Sequence, residues 1–115
     1  MRRLFLLLVL SVFLAGCEED SSQAKVIITV TNVDGVPVQN ASIKMYTPVP
    51  GSIGWYGQTN EAGQITFASG LEAYQDLKAW KFLYKGCNYV HLKKGEVAEV
   101  TVILYPYGEP NGCVE

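Results

Sequence analysis

From residue 25 onward, apolar side chains recur at every second position in short runs, and each run is cut off by Gly, Pro, Asn or Asp. A strand points successive side chains to opposite faces, so this period dictates half-buried strands rather than helices. Val26, Ile28 and Val30 share one face, as do Ala41, Ile43 and Met45, and later Ala98, Val100, Val102 and Leu104. Between the runs stand residues with specific turn chemistry. Asn32-Val33-Asp34-Gly35 supplies the positive φ of a tight turn through Gly35, and Asn60-Glu61-Ala62-Gly63 repeats the pattern. Pro37 lacks a ladder donor and so belongs at a strand start or a sheet edge.

Residues 47–54, with Pro48, Pro50, Gly51 and Gly54, form a loop without hydrophobic period. Residues 55–59 read as a strand, and residues 65–67 follow the second turn as another. The last hairpin is expected at residues 88–92, a Lys93-Lys94-Gly95-Glu96 turn, and residues 97–105. Turn signals about ten residues apart predict an all-β sandwich. Residues 71–84 admit two readings. Leu71, Tyr74, Leu77, Trp80 and Tyr84 fit an amphipathic helix, whereas Lys78, Trp80, Phe82 and Tyr84 alternating with Leu77, Ala79, Lys81 and Leu83 give the two-faced, aromatic character of a strand. The strand reading agrees with its neighbours.

Ahead of the strands lies a different kind of segment. Met1-Arg2-Arg3 is followed by twelve residues that are apolar except for Ser11, the layout of a secretory signal. Twelve residues of helix span roughly 18 Å, short of the ~30 Å of a hydrocarbon core. Leu14-Ala15-Gly16-Cys17 resembles the lipobox of bacterial lipoproteins. The resemblance implies cleavage before Cys17, a diacylglyceryl thioether on its sulfur, and attachment to the lipid bilayer of the bacterial cell envelope, favouring the outer membrane. Glu18-Glu19-Asp20-Ser21-Ser22-Gln23-Ala24 then reads as a polar tether. Its acidic start is also similar to the surface-export signal of some Bacteroidetes lipoproteins, and a merely solvated linker fits it as well, so the leaflet stays open. The expected division is a signal peptide at 1–16, a lipidated tether at 17–24, a folded domain at 25–106 and a tail at 107–115.

Two stretches of the folded part carry a family resemblance. Val30-Thr31-Asn32-Val33-Asp34-Gly35-Val36-Pro37-Val38-Gln39-Asn40-Ala41-Ser42-Ile43 looks like the opening of carboxypeptidase regulatory-like domains, and Thr59-Asn60-Glu61-Ala62-Gly63-Gln64-Ile65-Thr66-Phe67 is similar to their second signature. Lys94-Gly95-Glu96 and residues 97–104 also match their closing strand. The resemblance spans residues 25–105 and implies a seven-stranded, transthyretin-like, Ig-like β-sandwich. The sequence departs from the family at Tyr84-Lys85-Gly86-Cys87-Asn88-Tyr89, where a Gly-Tyr pair is usual, so the resemblance does not give the register of that edge.

With Cys17 lipidated, Cys87 and Cys113 remain as an even pair in an exported chain, which predicts a disulfide stapling the tail to the last strands. The search for chemistry yields little. His91 is the sole histidine, no Gly-x-Ser-x-Gly occurs, and the acids stand singly in turns. The transthyretin-like fold includes a ureide hydrolase, but its several His and Arg residues and its Tyr-Arg-Gly-Ser signature are missing, and residues 17–115 contain no arginine. Asn32, Asp34 and Glu61 lack the dense spacing of a Ca²⁺ loop. Neither a catalytic residue, a metal site nor a cofactor is therefore assigned. Residues 17–115 carry seven lysines against eleven acids, which argues against nucleic acid or another polyanion as partner.

Aromatics are the remaining signal. Trp55 and Tyr56 after the Pro/Gly loop, and Tyr107 after the last strand, are the candidate ligand contacts, as sugar-stacking rings or a protein hot spot. The expected function is a non-enzymatic, membrane-anchored binding or accessory module whose partner is an envelope protein or polysaccharide. A surface adhesin using Trp55 and Tyr56 is the alternative, and a small hydrolase centred on His91 is the remotest reading.

Overall fold

The computed structural model describes residues 23–51 and 54–113; the expected signal segment, Cys17 and most of the tether lie outside them. The period-2 pattern becomes seven strands: β1 (Ala24–Thr31), β2 (Ser42–Tyr46), β3 (Trp55–Gln58), β4 (Gln64–Ser69), β5 (Tyr74–Lys81), β6 (Tyr84–His91) and β7 (Val97–Ile103). They form two sheets, ordered β4-β1-β7 and β3-β2-β5-β6, and no helix occurs among the described residues. The fold is the all-β sandwich that the alternation predicts.

The core lies between the sheets. Val26, Ile28 and Val30 of β1 and Val102 of β7 face Ile43 and Met45 of β2 and Leu77 and Ala79 of β5, all fully buried. Each large side chain removed from water contributes about 1.5–3 kcal/mol, which is what holds two thin sheets together. Polar residues enter this layer only with partners. Buried Gln75 donates its amide to Thr47 Oγ1 at 2.9 Å, and Thr47 Oγ1 lies 3.2 Å from Gln75 Oε1.

The two Asn-x-x-Gly turns are built alike. Asn32 Oδ1 accepts the N–H groups of Asp34 (2.9 Å) and Val36 (3.0 Å), and Asn60 Oδ1 those of Ala62 (2.9 Å) and Gln64 (3.0 Å). Both close on a glycine at positive φ, 81° at Gly35 and 72° at Gly63. Gly63 is doubly constrained, since a Cβ there would lie 2.8 Å from the Val30 carbonyl oxygen and 2.9 Å from Pro37 Cβ. Pro37 makes an isolated antiparallel bridge to Thr31, outside the continuous ladders, a position that a residue without an N–H tolerates.

Two expectations need correction. The segment 71–84 is not one element: β5 ends at Lys81, Phe82-Leu83 makes a two-residue turn, and β6 starts at Tyr84, so the helical reading fails and the penultimate strand begins earlier than residue 88. The last two strands are also not a hairpin. β6 pairs antiparallel with β5, whereas β7 pairs parallel with β1, Lys25 opposite Val97 through Thr31 opposite Ile103. The 93–96 turn carries the chain from one sheet to the other, with the Gly95 N–H donating to the Gln23 carbonyl at 3.0 Å and the Lys25 N–H to the Glu96 carbonyl at 3.1 Å. Alternation fixes the face that a strand buries, and says nothing of which strand it bonds to.

β6 and β7 nevertheless come together across the edge of the sandwich. Asn88 Nδ2 donates to the Thr101 carbonyl at 2.8 Å, and Lys85 and Tyr105 exchange backbone hydrogen bonds of 3.1 and 2.9 Å. Gly86 permits this approach, because a Cβ there would overlap the Ile103 carbonyl group, 2.8 Å from its carbon. The departure from the Gly-Tyr pattern thus falls where β6 approaches the Ile103 carbonyl too closely for any side chain at residue 86.

Candidate functional site

On a four-stranded sheet, side chains of opposite residues stand side by side, so the register lays out a surface row by row. The outer face of β3-β2-β5-β6 reads Gln58, Ser42, Trp80 and Lys85 in one row, and Tyr56, Lys44, Lys78 and Cys87 in the next. Tyr46, Asp76 and Tyr89 make a third row, and Tyr74 opposite His91 a fourth. These positions alternate with Ile43, Met45, Leu77 and Ala79, which the core claims, so the outward face is dictated by the same period that makes the strands.

An open groove of about 610 Å³ runs over this face. Lys44, Lys78 and Lys85 line it with Tyr56 and Trp80, and the Phe82-Leu83 turn forms part of its rim. The three lysines and Trp80 are half-buried. Lys44 Nζ stands 4.7 Å from the centre of the Tyr46 ring and 5.4 Å from that of Tyr56, two cation–π contacts that hold the ammonium in place. The rim residues are unusual. Phe82 has φ 55° and is 89% exposed, and Leu83 is 72% exposed. A bulky residue at positive φ is a conformational outlier, and here no burial compensates it.

The disulfide joins Cys87 of β6 to Cys113, with Cα atoms 4.9 Å apart. Around it the Cys87 N–H donates to the Asn111 carbonyl at 3.2 Å and the Cys113 N–H to Asn111 Oδ1 at 2.9 Å. The tail thereby covers the outer edge of β6, an edge otherwise open to pairing with another strand. A second hollow, of about 420 Å³, lies beside it between Tyr46, Asp76, Lys78 and Cys113.

The ring residues expected to act together are separated. Trp55 lies opposite Met45 and packs against the core, whereas Tyr56 lies opposite Lys44 and is exposed, as neighbours on one strand must be. They present no shared platform. Tyr107 is 84% exposed in the 106–109 turn of the tail and lines none of the hollows described here. Trp80, opposite Ser42 and Lys85 and two strands from Tyr56, is the second ring that lines the groove with Tyr56, and its place there was not visible without the register. His91 stacks on Tyr74, ring centres 4.1 Å apart and planes 11° from parallel. Among the described residues no three His, Cys, Asp or Glu side chains come together as metal ligands.

No protein-family model matches the sequence, and a search of curated proteins returns no match. Solved structures do resemble the fold. A streptococcal ancillary pilin superposes with a TM-score of 0.60 at 14% identity, over 76% of this chain and 33% of its own. The Bacillus anthracis TIE protein gives 0.59 at 20% identity, over 71% of this chain and 17% of its own. A minor pilin of Streptococcus agalactiae gives 0.58 at 14%, over 81% and 48%, and an (S)-allantoin synthase gives 0.58 at 12%, over 83% and 45%. The chain spans less than half the length of each of these proteins. At such identities the likeness is one of fold: an Ig-like β-sandwich of the kind found in pilins.

Proposed function

We propose that this protein is a non-enzymatic binding or accessory module, tethered to the bacterial cell envelope through a lipid on Cys17. The observation that carries the binding role is the groove on the outer face of β3-β2-β5-β6, a surface on rigid strands lined by rings and ammonium groups. His91, stacked flat on Tyr74, supports no hydrolytic role, and the pilin-like neighbours are consistent with an accessory domain. One neighbour is an enzyme, so the shared fold does not decide function by itself. The carboxypeptidase regulatory-like resemblance belongs to the same reading, and the twin Asn-x-x-Gly turns support it.

The tether gives the domain an orientation. β1 begins at Ala24, beside the 93–96 turn, and the Phe82-Leu83 turn lies at the other end, sharing a hollow with Val33 and Val38. Six residues between Cys17 and Ala24 reach about 25 Å at most, so the 93–96 end faces the bilayer and the Phe82 end faces away. Crosslinking in intact cells tests this function. Covalent products with envelope components are expected, and products confined to cytoplasmic proteins would contradict it.

The adhesin reading survives in altered form. Its rings are Tyr56 and Trp80 in place of Tyr56 and Trp55, because those two line the same groove.

A further inference from the structure

The Phe82-Leu83 turn carries strain that nothing within one copy of the chain offsets. Phe82 sits at φ 55°, a conformation that a bulky residue adopts only under constraint, yet its ring is almost wholly exposed and so is the Leu83 side chain beside it. Glycine at residue 82 would avoid the strain and the apolar display together. Tyr84, next in the chain, and Val33, from the first Asn-x-x-Gly turn, are exposed at the same end.

A hollow of about 420 Å³ opens beside this knob, with Val33, Val38, Tyr84, Leu104 and Pro106 in its walls. Its charged lining residues are one acid and one base, Asp34 and Lys81. The Asp34 carboxylate makes no hydrogen bond or ion pair among the described residues, and Lys81 Nζ uses one of its three donors on the Gln39 carbonyl at 2.7 Å. A knob and a hole at one end, with one charge of each sign, make a surface that complements itself. A two-fold rotation brings the Phe82 ring of one chain to the hollow of the other, and Asp34 of each to Lys81 of the other. By the size of such side chains, Phe82, Leu83, Tyr84 and Val33 expose on the order of 500 Å² in one copy, so the contact covers roughly 1,000 Å² in all, enough for a specific, reversible dimer.

We infer that this end of the sandwich is a homodimer interface, in which Phe82 and Leu83 of each copy pack into the hollow of the other and Asp34 pairs with Lys81 across the two-fold axis. A lipid surface fits the patch less well, because it would bury the Asp34 carboxylate without a partner. The patch lies opposite the end where β1 begins, so both N-termini stay outside the contact. The inference goes beyond the binding-module reading and does not depend on the lipid at Cys17.

The test is sedimentation equilibrium of the full chain in a density-matched nonionic detergent, micelles in large excess, over protein concentrations up to about 1 mM. A reversible monomer–dimer equilibrium is expected. Phe82→Gly should weaken it about tenfold or more while raising the melting temperature of the dilute chain, since the same change relieves the positive φ. Asp34→Lys and Lys81→Asp should each weaken it, and the two together should restore it toward the parent. Val97→Ser, which removes an exposed apolar side chain beside the 93–96 turn at the other end, should leave it unchanged. Leu83→Ser takes the place of Phe82→Gly if that variant unfolds. A monomer throughout the series, a dimer indifferent to the turn substitution, no recovery in the double charge reversal, or open-ended association beyond the dimer would overturn the inference, whatever else the patch then proves to bind.

Discussion

Thr59 and Ala41 bind each other twice: the Ala41 N–H donates to Thr59 Oγ1 at 3.0 Å, and the Thr59 N–H donates to the Ala41 carbonyl at 3.0 Å. The Thr59 hydroxyl then donates to the Val38 carbonyl at 2.6 Å, so one buried side chain satisfies two backbone groups of the segment entering β2. Thr59→Val keeps the shape and strands both groups. Each unsatisfied buried polar group costs about 1–3 kcal/mol, so a loss of about 2–4 kcal/mol is expected, with Thr59→Ser losing much less. Denaturant melts of the two variants check this, and equal stabilities would refute the role.

Gly86 makes a sharper structural prediction. Gly86→Ala forces a methyl group into the Ile103 carbonyl and should cost about 3 kcal/mol by pushing β6 off β7. Gly70 has nothing within 4 Å of its missing Cβ, so Gly70→Ala should stay within about 0.5 kcal/mol of the parent. Thermal melts of the pair separate a specific contact from a general intolerance of side chains.

Phe82 offers the opposite sign. Its positive φ costs on the order of 1–3 kcal/mol, and Phe82→Gly relieves that strain while adding up to about 1 kcal/mol of unfolded-state entropy. A net gain near 1 kcal/mol is expected, together with loss of an apolar side chain at the groove rim. A fall in melting temperature would show that the ring packs in a way its exposure denies.

The Cys87–Cys113 bond closes a loop with a sequence separation of 26, worth roughly 3–4 kcal/mol in the chain-entropy model. Cys87→Ser with Cys113→Ser should lower stability by about that amount and expose the backbone amides of Lys85 and Cys87 to hydrogen exchange. Unchanged exchange would mean that the hydrogen bonds to Tyr105 and Asn111 hold the tail unaided.

Much of this fold was legible because its physics is local. The alternation at Val26, Ile28 and Val30 and the Asn-x-x-Gly turns involve residues within a few positions of one another. The Phe82-Leu83 turn was not legible, because neither residue has turn chemistry and the structure holds Phe82 at positive φ without a glycine. The pairing of β7 with β1 was hidden for another reason: a strand's sequence shows its buried face and not its neighbour. The candidate site suffered from the same gap. Trp55 and Tyr56 are adjacent in sequence and opposed in space, while Tyr56 and Trp80 are far apart in sequence and line one groove. Thr59 read as the first residue of a turn signature, and its burial follows from contacts with residues 38–41 that no local pattern announces.

The central claim is a β-sandwich held at a membrane by its N-terminal end, and the lipid on Cys17 is its most exposed part. Cells expressing the full chain or Cys17→Ala are grown with labelled palmitate, lysed and separated into membrane and soluble fractions. The account predicts a labelled protein in the membrane fraction and an unlabelled Cys17→Ala variant that loses the mature, lipid-bound form. Equal membrane retention of both chains, with no label on either, would contradict it.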